Sequence, residues 1–445
     1  MTLAQDDQRI EDRIRQTDPE NLTAISPGNV IASTQAEDTH LFSDRPHNAN
    51  SITPEQAFVH MVKAMLGTGL LSLPYAFMHS GLYLGLFLLV IICIVCLYCM
   101  RQIVYAAHFV CKKNGRELID YANIMRGAVE AGPPGSTNMA ISSNSLLMSK
   151  CSLLNWVSAV YTSSLWLTIS RIFSTKTPAC IWQKHLFYSQ TECAGSICVC
   201  GQHHLFGCGH YCGLLFLHPS PIRRQHHQSG GMAQPSLFFG TVMFAFEGVC
   251  VVMPIENRME HPKFFISWNG VLNSSCLVVL AIFAVTGFYG YLAFGQTTME
   301  TVTLNLPPQP FYEMLKLMFV ACVMVSYPLQ FFVPMERIEK FITRKCAVEK
   351  QMRNVYFARF SIVLATCAIA EMVPHLALFI SLVGAVACTS LALLFPPFID
   401  LLVCYAQNKL SPLIYIRNFG IFIFAMIGFG TGTYSALRDI FLSFA

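Results

Sequence analysis

Apolar runs of roughly 20 residues recur along most of this chain, the length a helix needs to cross about 30 Å of hydrocarbon. They fall near 55–78, 82–107, 236–256, 268–294, 311–335, 356–374, 376–404 and 415–436, with Pro374, Pro396 and Pro397 softening the later boundaries. The pattern predicts an all-α polytopic membrane protein. Residues 1–50 are rich in Asp, Gln, Asn, Thr and Arg, without apolar periodicity or an apolar core like that of a signal peptide. They read as a disordered cytosolic tail. Residues 135–235 fit neither description. Their best candidate span, Leu153 to Ile169, carries five Ser or Thr and an Asn. The next, Ile197 to Leu217, is interrupted by Gln202, His203, His204 and His210.

The first run contains its own interruption, Gly67-Thr68-Gly69-Leu70-Leu71-Ser72-Leu73-Pro74. Glycine and proline weaken a helix and free backbone groups that lipid cannot satisfy. Irregular backbone at membrane depth persists only where it is buried in protein or lines a cavity. Half-helix N-termini offer N–H groups to an anion, and unwound carbonyls can hold a cation. A glycine pair alone also suits close helix packing. The adjoining Leu-Ser-Leu-Pro favours a discontinuous helix that holds a small solute.

Lysine and arginine placement predicts the orientation, because cytoplasmic loops carry the excess of basic residues. Basic residues follow the second run (Lys112, Lys113, Arg116, Arg126), the run at 236–256 (Arg258, Lys263) and the run at 311–335 (from Arg337 to Arg353). Lys409 and Arg417 precede the last run. The turns at Ser80, 295–310 and Pro374 have neither Lys nor Arg. The sets alternate if the N-terminus is cytosolic. An odd number of crossings must then lie between residues 128 and 235, where the sequence is poorest in apolar runs.

Composition agrees: 54% of residues are hydrophobic and only 12% charged, against roughly 25% charged in soluble domains. The 18 cysteines do not define a disulfide framework, since many sit in apolar runs as small hydrophobes. A Cys/His-rich stretch from Cys193 to Cys212 holds metal-binding residue types. Its Cys198-x-Cys200 spacing is too tight for the usual zinc knuckle. No metal or other cofactor is expected. With no P-loop, nucleophile elbow or His-Glu-x-x-His, nothing points to an enzyme, and nothing points to nucleic acid.

Several stretches together resemble the amino acid/auxin permease family, in particular its proton-coupled amino acid transporter branch. They are His60-Met61-Val62-Lys63, the Gly67–Pro74 stretch, Phe239–Gly248, Pro254-Ile255-Glu256-Asn257 and Gly287–Gly295. The resemblance covers about 51–134 and 236–445. It implies an eleven-helix, LeuT-like transporter of two inverted repeats, whose broken helices 1 and 6 hold the substrate. It implies proton-coupled symport of small neutral amino acids by alternating access. Helices 3–5 belong at 135–235, where these motifs stop. A family member would continue past Pro134 with a Trp-Ile-x-Lys-Tyr-Gly-like run, which one base's shift of frame permits here. About 135–234 is therefore expected to be frame-shifted or mis-spliced, with a genuine variant exon as the alternative. A product lacking helices 3–5 would be a non-transporting sensor or a defective variant.

The candidate residues follow. Gly67, Thr68 and Gly69 would meet the substrate carboxylate through backbone N–H groups. Glu247 is an ionisable residue at membrane depth, costly there and so a functional candidate. With Phe244 and Gly248 it falls on the second expected break. Carbonyls near Phe244 to Glu247 would face the substrate amine. Histidine as a residue type titrates near neutral pH, so His60 suits proton coupling, which the resemblance also implies, with protons as the coupling ion. Tyr327, before Pro328, is a further pocket candidate. Glu371 is expected to be solvated near Pro374. The partners expected are small neutral amino acids and the bilayer, at the plasma membrane or a lysosomal or endosomal membrane; protein partners are not indicated.

Overall fold

The computed structural model describes residues 51–115, 118–132, 234–306, 338–345, 348–372 and 375–444, with Tyr312, Met314, Phe331 and Met335. The tail 1–50, most of the 135–235 segment, its Cys/His stretch and Tyr327 lie outside the described residues, as does the side chain of Thr68.

All regular elements among the described residues are helical. Helix α1 spans Pro54–Met65 and starts with a capping box: Thr53 Oγ1 accepts from Gln56 N–H, and Gln56 Oε1 accepts from Thr53 N–H. These contacts satisfy two backbone donors at the helix start. Proline at the first helical position costs nothing there. The helix stops at Leu66, a short 3-10 turn covers Thr68–Ser72, and helix α2 runs Leu73–Ser80. The two halves bend by 47°. Gly81, with φ of 81°, turns the chain into the long helix α3, Leu82–Asn114. A left-handed Gly115 then caps α3. The amphipathic helix α4, Tyr121–Ala131, follows.

Helices α5, Pro235–Ala245, and α6, Val249–Glu256, form a second broken span. Helix α7 is Val271–Phe294, and α8, Val348–Met372, covers the run expected at 356–374. Helix α9 runs Leu376–Ala406, and α10 Pro412–Phe444. Among the described residues five helices are long and apolar enough to cross a membrane, or six with the bent pair α1–α2 counted as one span.

The two broken spans lie antiparallel. Ile52 N–H donates to Arg258 O at 2.9 Å, tying the start of α1 to the segment after α6. Gln234 N–H donates to His79 O at 2.8 Å, tying the end of α2 to the start of α5. In lipid, helices gain from van der Waals contact more than from hydrophobic burial, so small residues set the close approaches. A methyl built on Gly384 of α9 would fall 1.8 Å from Gly240 O of α5. One on Gly240 would fall 2.2 Å from Ser381 O. Backbone touches backbone there, and Ser381 Oγ donates to Leu237 O at 3.0 Å across the same contact. Helix α7 packs on α1 and α2, with Gly287 giving room to the buried Phe77 ring. Exposed Phe87, Ile94, Leu277, Leu292, Phe419 and Ile427 lie along α3, α7 and α10, as suits faces turned to lipid.

Candidate functional site

The site grows from the two interruptions. At the first, Gly67 has φ −90° and ψ −169°, an extended backbone, and the 3-10 turn starts after it. The opening N–H groups of a helical turn have no acceptor within that turn. Gly67 is exposed although Leu66 before it and Gly69 after it are buried, and a methyl at Gly67 would meet nothing within 4 Å among the described residues. The backbone of the break therefore faces open space in the interior of the sequence's first span.

At the second interruption, Phe246, Glu247 and Gly248 separate α5 from α6. Glu247 N–H donates to Phe244 O at 3.3 Å and Gly248 N–H to Phe246 O at 2.7 Å, tight turns in place of the α-helical ladder. Phe244 is buried and Glu247 is half-buried. The interruptions lie against each other. A methyl on Gly69 would come 2.7 Å from Ala245 Cα, and one on Gly248 2.8 Å from Met65 Cγ. Gly67, Gly69, Phe244, Glu247 and Gly248 thus gather where the two spans cross. His60 does not join them: it is exposed on α1, about 10 Å of helix rise before Gly67.

The chain matches the family described as "Transmembrane amino acid transporter protein" over residues 50–184 and 207–438. It belongs to that family. The matched extents include 135–184 and 207–235, beyond the stretches whose motifs carried the resemblance in sequence. In Drosophila melanogaster, "Proton-coupled amino acid transporter-like protein pathetic" is 28% identical over 427 residues, covering 91% of this chain and 88% of that protein. In Caenorhabditis elegans, "Probable amino acid transporter skat-1" is 24% identical over 438 residues, covering 88% and 91%. A solved structure, "Inward facing conformation of Mhp1", aligns with TM-score 0.48 and 12% identity over 94% of this chain and 96% of that one. The protein is thus an integral membrane protein of an amino acid transporter family, and neither the family nor these relatives are enzymes.

Two features of the transporter were not read from sequence. The first is a buried imidazole–carboxylate hydrogen bond. His108 Nε2 on α3 lies 2.8 Å from Glu256 Oε1 at the end of α6, and Glu256 is fully buried. The expected second span stopped at 107, one residue short of His108, which left it in a loop. Glu256 stood in a quoted motif without a role. The second is a stretch of wider π-helical turns in α9, Gly384–Cys388 and Ser390–Leu394. Such turns occur often at functional sites. Here Gly384 abuts Gly240 O and Phe244 N, and Cys388 lies within electrostatic reach of Glu247. Tyr121 of α4 donates to Leu391 O at 2.7 Å, so a loop helix is tied to the same stretch. An apolar run carries no mark of π-turns.

Farther along α9, Asp400 Oδ2 accepts from Gln102 Nε2 at 3.0 Å, Asn418 Nδ2 at 2.8 Å and Arg417 Nη2 at 3.2 Å. This cluster joins α3, α9 and α10. Its charges, Asp400 and Arg417, are opposite in sign, which lowers the cost of holding them near the membrane.

Proposed function

We propose that this transporter carries small neutral amino acids together with protons, by alternating access about the crossing of its two broken spans. The observation that carries the reading is the contact of break with break, with Gly67 backbone turned to open space beside it. Gly67 N–H donates back to Met65 O at 3.0 Å, so the substrate carboxylate docks on the N–H groups of Thr68 and Gly69 beside the open Gly67 backbone, where half-helix α2 and its 3-10 lead-in direct partial positive charge. The substrate ammonium faces the carbonyls and the carboxylate between Phe244 and Glu247. Gly69 and Gly248 have no side chain to keep the two breaks apart, so both ends of a small zwitterion can be reached at once.

Proton use is supported by the fly relative's name and by Glu247, a half-buried carboxylate beside the break. Proton binding at Glu247 offsets the cost of moving that charge through apolar surroundings as the site changes sides. His60, on the inner part of α1, is a second proton-linked position. The N-terminus is placed in the cytosol by the basic loops, and the membrane is the plasma membrane or a lysosomal or endosomal one. No cofactor is needed.

The test is uptake into proteoliposomes with an imposed proton gradient. Labelled alanine, glycine or proline should accumulate above its external concentration when the outside is acid. A protonophore should abolish this, and Glu247→Ala should lower it at least tenfold at equal protein. Equal uptake with and without the gradient would refute proton coupling. No saturable flux from folded protein would instead favour a sensor or a defective product.

A further inference from the structure

The outer half of the first broken span carries polar atoms that the site at the break does not use. Ser72, Tyr75 and His79 recur at helical spacing along α2, so they share one face leading from the break to the end of the span. Ser72 stands at the N-cap position of α2 yet makes no capping bond; it is fully buried, and its Oγ has no hydrogen-bond partner among the described residues. His79 Nε2 is also buried without a partner. Beside it, Gln234 Oε1 is a third buried polar atom in the same condition. Gln234 is held there by its own N–H, which donates to His79 O at 2.8 Å. Tyr75 stands edge-on to His79, with ring centroids 4.7 Å apart.

Buried polar atoms are almost always hydrogen-bonded, because desolvation without compensation is costly. Unmatched atoms of two spans at one place, with a third farther along the same helix face, need a common explanation. The charges nearby favour a cation. Asp439 of α10 lies within electrostatic reach of both Tyr75 and His79, and Glu300 within reach of Tyr75. Glu300 is itself engaged by His375 Nδ1 at 3.0 Å and by Ala377 N–H at 3.3 Å.

We propose that His79 and Gln234 form an outer loading station for the amino acid zwitterion, from which Ser72 leads the solute inward to the break. Gln234 Oε1 accepts from the ammonium. His79, as its Nε2–H tautomer, donates to the carboxylate. The orphaned amide oxygen and imidazole nitrogen are then complementary to the two ends of one small ligand. This station rests on the amino acid transport reading and adds a site to it.

The experiment is concentration-dependent alanine uptake from the outside, at equal surface amounts, for wild type, His79→Ala, Gln234→Ala and His79→Gln. Loss of a loading site raises KM while leaving the later steps alone. His79→Ala and Gln234→Ala should raise KM at least fivefold with Vmax within twofold. His79→Gln, which restores an amide donor, should stay within threefold of the wild-type KM. A KM within twofold of wild type in both alanine variants overturns the station, as does a fall in Vmax alone. Wild type that takes up no alanine sinks the transport reading instead. The station is then judged by the rise in Tm that alanine gives the purified protein, and an equal rise in wild type and His79→Ala overturns it.

Discussion

Gly67 and Gly69 stand two positions apart and have opposite surroundings, which makes them a matched pair of probes. Gly67 has a backbone any residue can adopt and open space around it, so Gly67→Ala should fold normally, with stability within about 0.5 kcal/mol, the usual range away from packed features. Its methyl would project where the substrate carboxylate is proposed to dock, and should raise the KM for alanine severalfold. Gly69→Ala would instead press on Ala245 Cα at 2.7 Å and force the breaks apart. Reduced folding yield and loss of uptake are expected together. Thermal unfolding and uptake on both variants check the contrast.

Also at this scale, Glu256→Ala would leave His108 facing a buried gap. Leaving a buried hydrogen-bonding group unsatisfied costs about 1–3 kcal/mol, so this variant should show a fall in Tm. Glu256→Gln keeps a hydrogen-bonding group beside His108 and should lose less. The glycine break was legible because Gly and Pro in an apolar run contradict an uninterrupted helix. The His108–Glu256 pair was not, because its partners are 148 positions apart and only the packing of α3 on α6 joins them.

For the elements, hydropathy located six of the spans found among the described residues. The run expected at 311–335 lies almost wholly outside them, and α8 is not among the helices long and apolar enough to cross a membrane. Hydropathy could not see what happens inside the spans. The expected run at 82–107 extends as helix to Asn114, because Lys112 and Lys113 continue α3 beyond the hydrocarbon-length stretch. The second broken span was expected from Glu247-Gly248 and is found there. The π-turns of α9 left no trace, since they change backbone register without changing residue type. Their proximity to the second break follows from Gly240 and Gly384, which place two backbones in contact. Gly384→Val should therefore separate α5 from α9: a side chain there meets Gly240 O at once, with no flexible neighbour to move. The expected outcome is little correctly folded protein by size-exclusion chromatography in detergent. Gly430→Val in α10, where a methyl meets nothing within 4 Å, should behave as wild type.

Across the whole molecule, the two broken spans are joined at three levels. Ile52 meets Arg258 at one end, the breaks meet in the middle, and His79 meets Gln234 at the other end. In the proposed alternating access, this antiparallel pair would let each half-helix tilt about its break while its ends stay tied. The inverted repeat implied by the family resemblance supplies such a pair. Its remaining helices could not be built from sequence, because 135–235 carries too few apolar runs for the crossings that the basic loops demand. The orientation rests on those loops alone.

The most direct measurement is a structure of the full chain in lipid nanodiscs, determined with saturating alanine. The account predicts ligand density at the crossing of the broken spans. Its carboxylate should lie against the Gly67–Gly69 backbone, within hydrogen-bond distance of the Thr68 and Gly69 N–H groups, and its ammonium beside the Phe244–Glu247 segment. Alanine bound elsewhere, with the Gly67–Gly69 backbone uncontacted, would contradict it.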